Sequence, residues 1–147
     1  HQTGRVTSFK TRGHVALSGS FGYELDLNKV TEEEQELVKE QLAEFHKYYS
    51  LTHEGDYYRL MGPGERFCAW EFVDREKDHA VQTLVMTSAE GNPLPVHTIV
   101  KGLDPEKNYT CSLNGCVHSG RTWMNGGLTI GKAPGEYESI LIEWNAV

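Results

Sequence analysis

A change of period near residue 55 constrains this chain more than any other feature of its sequence. From Tyr57 onward the apolar residues fall in short runs, at about 57–61, 67–74, 79–87, 94–102, 108–113, 117–124 and 137–144. Turn residues separate them at Gly62-Pro63-Gly64, Glu76-Lys77-Asp78, Gly91-Asn92-Pro93, Asp104-Pro105-Glu106, Asn114-Gly115 and Pro134-Gly135. Short strands broken at such regular spacing predict an antiparallel β-sandwich. The Asn-Gly pair predicts a tight hairpin. Along 67–74, Phe67, Ala69, Glu71 and Val73 fall on one face and Cys68, Trp70 and Phe72 on the other. With both faces mainly apolar, this is expected to be a central strand.

Residues 1 to about 55 read differently, as helix, short strand, helix. The run His14-Val15-Ala16-Leu17-Ser18 lies between Gly13 and Gly19 and predicts a short buried strand, followed by a turn over 19–23. Thr31 and Glu34 form a capping box, in which hydroxyl and carboxylate satisfy each other's backbone donors at a helix start. Leu37, Val38, Leu42, Phe45 and Tyr49 then recur at helical spacing, which predicts an amphipathic helix over about 31–50. The junction at 53–56 is short, so the two parts are expected to pack together. The division is 1–55 and 56–147.

The chain has 147 residues, enough for one domain or one domain plus a piece of another. Fourteen Lys+Arg against 21 Asp+Glu give a formal charge of −7, which argues against a nucleic-acid surface and suits a neutral ligand such as a sugar. No apolar run approaches the roughly 20 residues that span a bilayer. Three cysteines, Cys68, Cys111 and Cys116, do not make a disulfide framework, and a reduced cytoplasmic setting is the simplest expectation, with secretion left open. The triplet Asn108-Tyr109-Thr110 fits a glycosylation sequon but is read as a chance match. The chain opens on His1 in mid-pattern, as a cut-out piece would.

Metal chemistry finds no support, because the histidines and cysteines form no H-x-x-x-H or C-x-x-C pair. Cys116 and His118, two apart on a predicted strand, read as a surface or structural pair. No G-x-S-x-G nucleophile signature is present. Glu24 and Asp26 are the notable carboxylate pair, since they follow the predicted strand, where barrel enzymes place working residues. The favoured reading is that they sit before the positive end of the next helix. Trp70, Trp123 and Trp144 lie on predicted strands, where they either fill the core or stack on sugar rings. Core is the expectation for Trp70, while Trp144 stays open between the two.

Four strings go further. The opening HQTGRVTSFKTRGHVALSGSFGYELDL closely resembles a stretch of family 36 glycoside hydrolases, the microbial α-galactosidases, in which PNHQTGR leads to GNFGYELDL. KGLDPEKNYT resembles the family's KGLDP connection, HSGRTWMNGGL its SG-x-x-LMNAGL motif, and PGEYES its GDYQS. The matches keep the family's order from residue 1 to about 139. Ser20, Trp123 and Gly126 depart from the usual Asn, Leu and Ala.

The resemblance implies the last helix–strand–helix of a (β/α)8 barrel over 1–55 and the whole C-terminal antiparallel sandwich over 56–147. It implies a retaining exo-α-galactosidase acting on melibiose- and raffinose-type sugars. The family's K-W-D nucleophile segment and S-D-D acid/base segment do not occur here, so no catalytic residue is carried over. Ser20, Phe21 and Glu24 are the barrel-mouth candidates for substrate contact. The implied partner is the rest of the enzyme, with sugars reached through it, no nucleic acid and no membrane; a homo-oligomer stays open. No cofactor or metal is called for. The other class of reading is a non-catalytic carbohydrate-binding sandwich, which a row of exposed aromatics would favour. A barrel strand parted from its neighbours would leave backbone groups unpaired, and the helix face of Leu37, Val38, Leu42 and Phe45, buried in an intact barrel, would be exposed, so residues 1–55 are expected to fray or self-associate.

Overall fold

The computed structural model describes residue 4 and residues 6–147, apart from 25 and 63. Most of the HQTGR string therefore lies outside the described residues. Two helices lead, α1 over Phe9–Ala16 and α2 over Glu32–Glu54. Strands β1 Asp56–Met61, β2 Phe67–Val73, β3 His79–Met86, β4 Val96–Thr98, β5 Asn108–Cys111 and β6 Val117–Ser119 follow, then helix α3 Gly120–Gly126, β7 Leu128–Ile130 and β8 Ser139–Ala146. One antiparallel sheet has the order β1-β2-β3-β8-β5-β6, and β4 pairs with β7 in a second.

The large sheet is covered on both faces. Ala69, Val73, Ala80, Leu84, Ile142 and Trp144 point to a core shared with Val96, Val100, Leu103, Trp123, Leu128 and Ile130 from the β4–β7 side. Phe72 and Val81 point the other way and pack on Leu17, Tyr48 and Leu51 of the helical layer. The alternation expected for β2 holds, and β2 sits between β1 and β3. Each fully buried Leu or Ile here contributes about 1.5–3 kcal/mol.

The strand expected over 14–18 is absent. His14 to Ala16 are the last turn of α1, and Leu17 closes it with its N–H on Gly13 O. Thr11, His14 and Leu17 are buried while Val15 is 47% exposed, a spacing of three rather than two. Gly13 misled the reading because it does not punctuate. A Cβ there would lie 2.5 Å from Gln41 Cδ, so the glycine lets α1 and α2 cross closely. Since the segment is helical, its backbone groups are paired internally and no orphaned strand edge arises.

The capping box at Thr31 is formed, with Thr31 Oγ1 accepting from the Glu34 amide and Glu34 Oε2 accepting from the Thr31 amide. The helix runs on to Glu54. Its outer face is open in this chain, as expected of a helix shaped to pack on elements outside it. Gln41, Tyr48 and Leu51 face the fold, whereas Leu37, Leu42 and Tyr49 are 36, 38 and 49% exposed. The apolar stripe of α2 points mostly away from the sheet.

Further differences fall in the sandwich. The expected strand at 117–124 stops at Ser119, whose Oγ accepts from the Thr122 amide and starts α3. A Cβ on Gly120 would collide with Asp104 O, so the chain turns there in close contact. The run expected over 94–102 pairs only at 96–98, and β7 was not foreseen because it is three residues behind a glycine pair. The hairpin at Asn114-Gly115 exists as a five-residue loop over 112–116, with Gly115 at φ 69° and Asn114 Oδ1 accepting from the Cys116 amide.

Candidate functional site

The barrel-mouth candidates lie where the 20–24 segment crosses the two helices. A cleft of about 160 Å³ opens there, lined by Phe9, Arg12, Gly13, Ala16, Phe21, Gly22, Tyr23, Glu24 and Gln41. Aromatic rings form its floor. Phe9 stacks on Tyr23 at 5.9 Å, Phe21 meets Tyr23 edge-on at 5.4 Å, and the Arg12 guanidinium stands 4.8 Å above Phe9. Such a floor, with a cation and a carboxylate at the rim, matches the apolar-and-polar character of a sugar or of another protein segment.

Gln41 organises the cleft from below. Its Oε1 accepts from Tyr23 OH at 2.6 Å and its Nε2 donates to Phe9 O at 2.9 Å, so the buried amide is satisfied at both ends. Burial and the nearby Glu44 charge push the Tyr23 phenol up, which keeps it a neutral donor. Sequence reading missed Gln41 because a polar residue in mid-helix looks like part of the solvent face. Its only signal is Gly13, and that appears once the helix crossing is known.

The structure brings Phe21 and Glu24 into this cleft and leaves Ser20 exposed outside its lining. Glu24 and Asp26 do not act as a pair. Asp26 caps the short 3-10 turn Leu27–Lys29, where the Asn28 amide and side chain, then Lys29, hold its carboxyl below its ordinary value. Two further polar groups bind the helices to the sheet. Ser139 Oγ lies 2.9 Å from both His14 Nδ1 and Thr11 Oγ1, and burial lowers His14 to about 4, helped by Lys10. Glu143 accepts from Lys47 Nζ at 2.7 and 2.8 Å and contacts His79 Nε2 at 3.1 Å. Burial raises Glu143, but the hydrogen bonds from Lys47 and Tyr48 and the Lys47 and His79 charges outweigh it and hold it low.

Among the described residues no group of three His, Cys, Asp or Glu is placed to hold a metal, and no helix is long and apolar enough to cross a membrane. Cys116 is exposed, and His118 packs on Trp123 at 4.9 Å. Trp123 and Trp144 are 4 and 0% exposed, so both indoles are core. Half-buried Trp70 packs at the helix layer and donates to Ser18 Oγ at 2.6 Å.

Residues 67–143 match the glycosyl hydrolase family 36 C-terminal domain, and residues 1–55 match Melibiase. The bifunctional α-galactosidase/sucrose kinase AgaSK of Mediterraneibacter gnavus is 40% identical over 140 residues, 95% of this chain and 15% of that protein. α-Galactosidase AgaA of Geobacillus stearothermophilus is 38% identical over 148 residues, 100% of this chain and 20% of that one. Its crystal structure superposes with a TM-score of 0.93 at 37% identity, covering 100% of this chain and 20% of the other. A variant of AgaA in complex with raffinose gives 0.94 at 36%, with the same coverage. The chain thus spans about 15–20% of the length of these curated relatives.

Proposed function

This chain belongs to glycosyl hydrolase family 36, and we propose that it is the C-terminal part of a retaining exo-α-galactosidase that removes terminal galactose from melibiose- and raffinose-type sugars. One observation carries the reading: the helical part matches Melibiase and the sheet part the family's C-terminal domain, in one packed unit. The raffinose complex of the Geobacillus enzyme supports the substrate class.

A retaining glycosidase needs two carboxyls about 5–5.5 Å apart, one attacking the anomeric carbon and one serving as acid and then base. Several carboxyls here already have other work: Asp26 caps a turn, Glu34 closes a capping box, and Glu143 binds Lys47. We therefore assign the catalytic pair to the rest of the enzyme and give this chain two structural tasks. Residues 1–55 complete the barrel wall, with Leu37, Leu42 and Tyr49 against neighbouring barrel elements. Residues 56–147 form the sandwich that backs them. Phe21 and Glu24, with Ser20 beside them, lie toward the barrel mouth. The binding-module alternative is disfavoured because Trp123 and Trp144 are buried and half-buried Trp70 is turned to the helix layer, where its indole bonds Ser18, so no row of exposed indoles faces a sugar.

A chimera tests the proposal. The matching region of the Geobacillus enzyme is replaced by this chain and assayed on a nitrophenyl α-galactoside, beside the 147-residue chain alone. The chimera should turn over and the chain alone should not. Turnover by the chain near that of the intact Geobacillus enzyme would falsify the proposal, as would a folded chimera that is inert. Raffinose titrated into the chain should show no saturation tighter than about 1 mM, roughly −4 kcal/mol.

A further inference from the structure

Two fully buried polar side chains stand on directly opposed residues of neighbouring strands, in the apolar core beneath the second sheet. Glu71 on β2 and Gln82 on β3 are Cα partners, and both are 0% exposed. Their neighbours along the same face are Ala69, Val73, Ala80 and Leu84. Each reaches the covering segment 98–101: Gln82 Nε2 donates to Thr98 Oγ1 at 3.1 Å and to Ile99 O at 2.8 Å, and Glu71 Oε2 accepts the Lys101 amide at 2.9 Å. The remaining oxygens, Glu71 Oε1 and Gln82 Oε1, are buried and have no hydrogen-bond partner among the described residues.

Both orphans are acceptors on directly opposed residues, so a hydrogen between them satisfies both at once. Gln82 cannot supply it, because its two N–H bonds are used on Thr98 and Ile99. Turning the amide over would set its oxygen 2.8 Å from the Ile99 carbonyl, acceptor against acceptor. The hydrogen has to come from Glu71. We propose that Glu71 is protonated in the folded chain at neutral pH and donates to Gln82 Oε1, forming an uncharged clasp that fastens segment 98–101 over the sheet and loosens in alkaline solution.

The surroundings agree. On β1 the residue opposite Glu71 is Tyr58, on β3 it is Gln82, and the covering segment brings Lys101. Burial pushes the Glu71 carboxyl up to about 8, against the opposing pull of the Lys101 amide and charge. An ionised carboxylate in such a core would carry a large desolvation penalty and keep an acceptor facing an acceptor. The clasp holds a layer rather than a loop tip, since Val96, Val100 and Leu103 flank it in the core.

Sign and window follow from linkage. Between the ordinary carboxyl value of 4.5 and about 8 the folded chain holds a proton that the unfolded chain does not. The Glu71 contribution to stability therefore falls as pH rises through that window, by up to about tenfold in the unfolding constant per pH unit, and levels off above it. Below pH 6.5 the depressed His14 works the opposite way, so the net decline is read from pH 6.5 to 8. The test is urea unfolding of the 147-residue chain from pH 5 to 10, beside Glu71→Gln, which places a permanent N–H donor opposite Gln82. The decline from pH 6.5 to 8 should vanish in Glu71→Gln, and the variant should exceed the wild type above pH 8. Parallel curves, or a variant weaker at every pH, overturn the clasp. Infrared difference spectroscopy of the wild type gives an answer that does not depend on the variant's folding. A buried protonated-carboxyl band at pH 6 that disappears by pH 10 supports the clasp, and its absence at pH 6 overturns it.

Discussion

The two faces of the six-stranded sheet are held by different physics. Toward β4 and β7 the contact is a continuous apolar core, from Leu84, Ile142 and Trp144 across to Val96, Val100 and Ile130. Toward the helices the apolar contact is small, and directed hydrogen bonds surround it: Trp70 to Ser18, Ser139 to His14 and Thr11, Lys47 to Glu143. Apolar burial is large and non-directional, whereas hydrogen bonds add little net stability but fix geometry. The first face supplies most of the stability. The second sets the angle at which α2 presents its outer stripe.

The contrast can be broken most severely from the apolar side. Trp144→Ala empties a fully buried site packed edge-on against Trp123 at 4.7 Å, and urea unfolding should record a loss of about 3–5 kcal/mol. A loss under 1 kcal/mol would mean that this face is not the main store of stability.

The polar side should show itself in acid. His14 is held neutral in the fold, at about 4 against an ordinary 6.5, so between those values the unfolded chain binds a proton that the folded chain does not. Its contribution is complete above pH 6.5 and is lost as pH falls toward 4, on the order of 2 kcal/mol. Glu71 changes in the opposite sense over the same range, so the contribution is read as the difference between the wild type and His14→Gln, each unfolded at pH 7 and pH 4.5. An equal acid loss in the variant would remove His14 as the cause.

The smallest effect is the most diagnostic. Leu42→Lys lies on the outward stripe of α2, so the isolated chain should change by no more than about 0.5 kcal/mol. In the Geobacillus chimera the same change should cut activity or yield several-fold. Strong destabilisation of the isolated chain would show that the stripe is already covered.

How much of this was legible follows from what each feature depends on. The start of α2 was readable because a capping box is complete within four residues, and the faces of β2 because alternation is local. The stripe of α2 was visible from its period, while the residues that turn inward, Gln41, Tyr48 and Leu51, were not, since periodicity locates an apolar face without saying which neighbour covers the other one. The His14 to Leu17 run misled because a short apolar segment beside a glycine fits strand and helix alike. Of the cleft, Phe21 and Glu24 were found through the family's string. Gln41 and the Ser139–His14 contact were not, because each needs a partner far along the chain, 32 and 125 residues away.

One junction has mechanical meaning. Gly55 ends α2 with its N–H on Leu51 O, and β1 begins at the next residue. A Cβ on Gly55 would lie 2.5 Å from both Leu51 O and Val73 O, so the backbone is wedged between the helix end and the neighbouring strand. No slack exists there to act as a hinge. A push on α2 therefore travels into the sheet edge, along β1 and β2, as into the short arm of a lever.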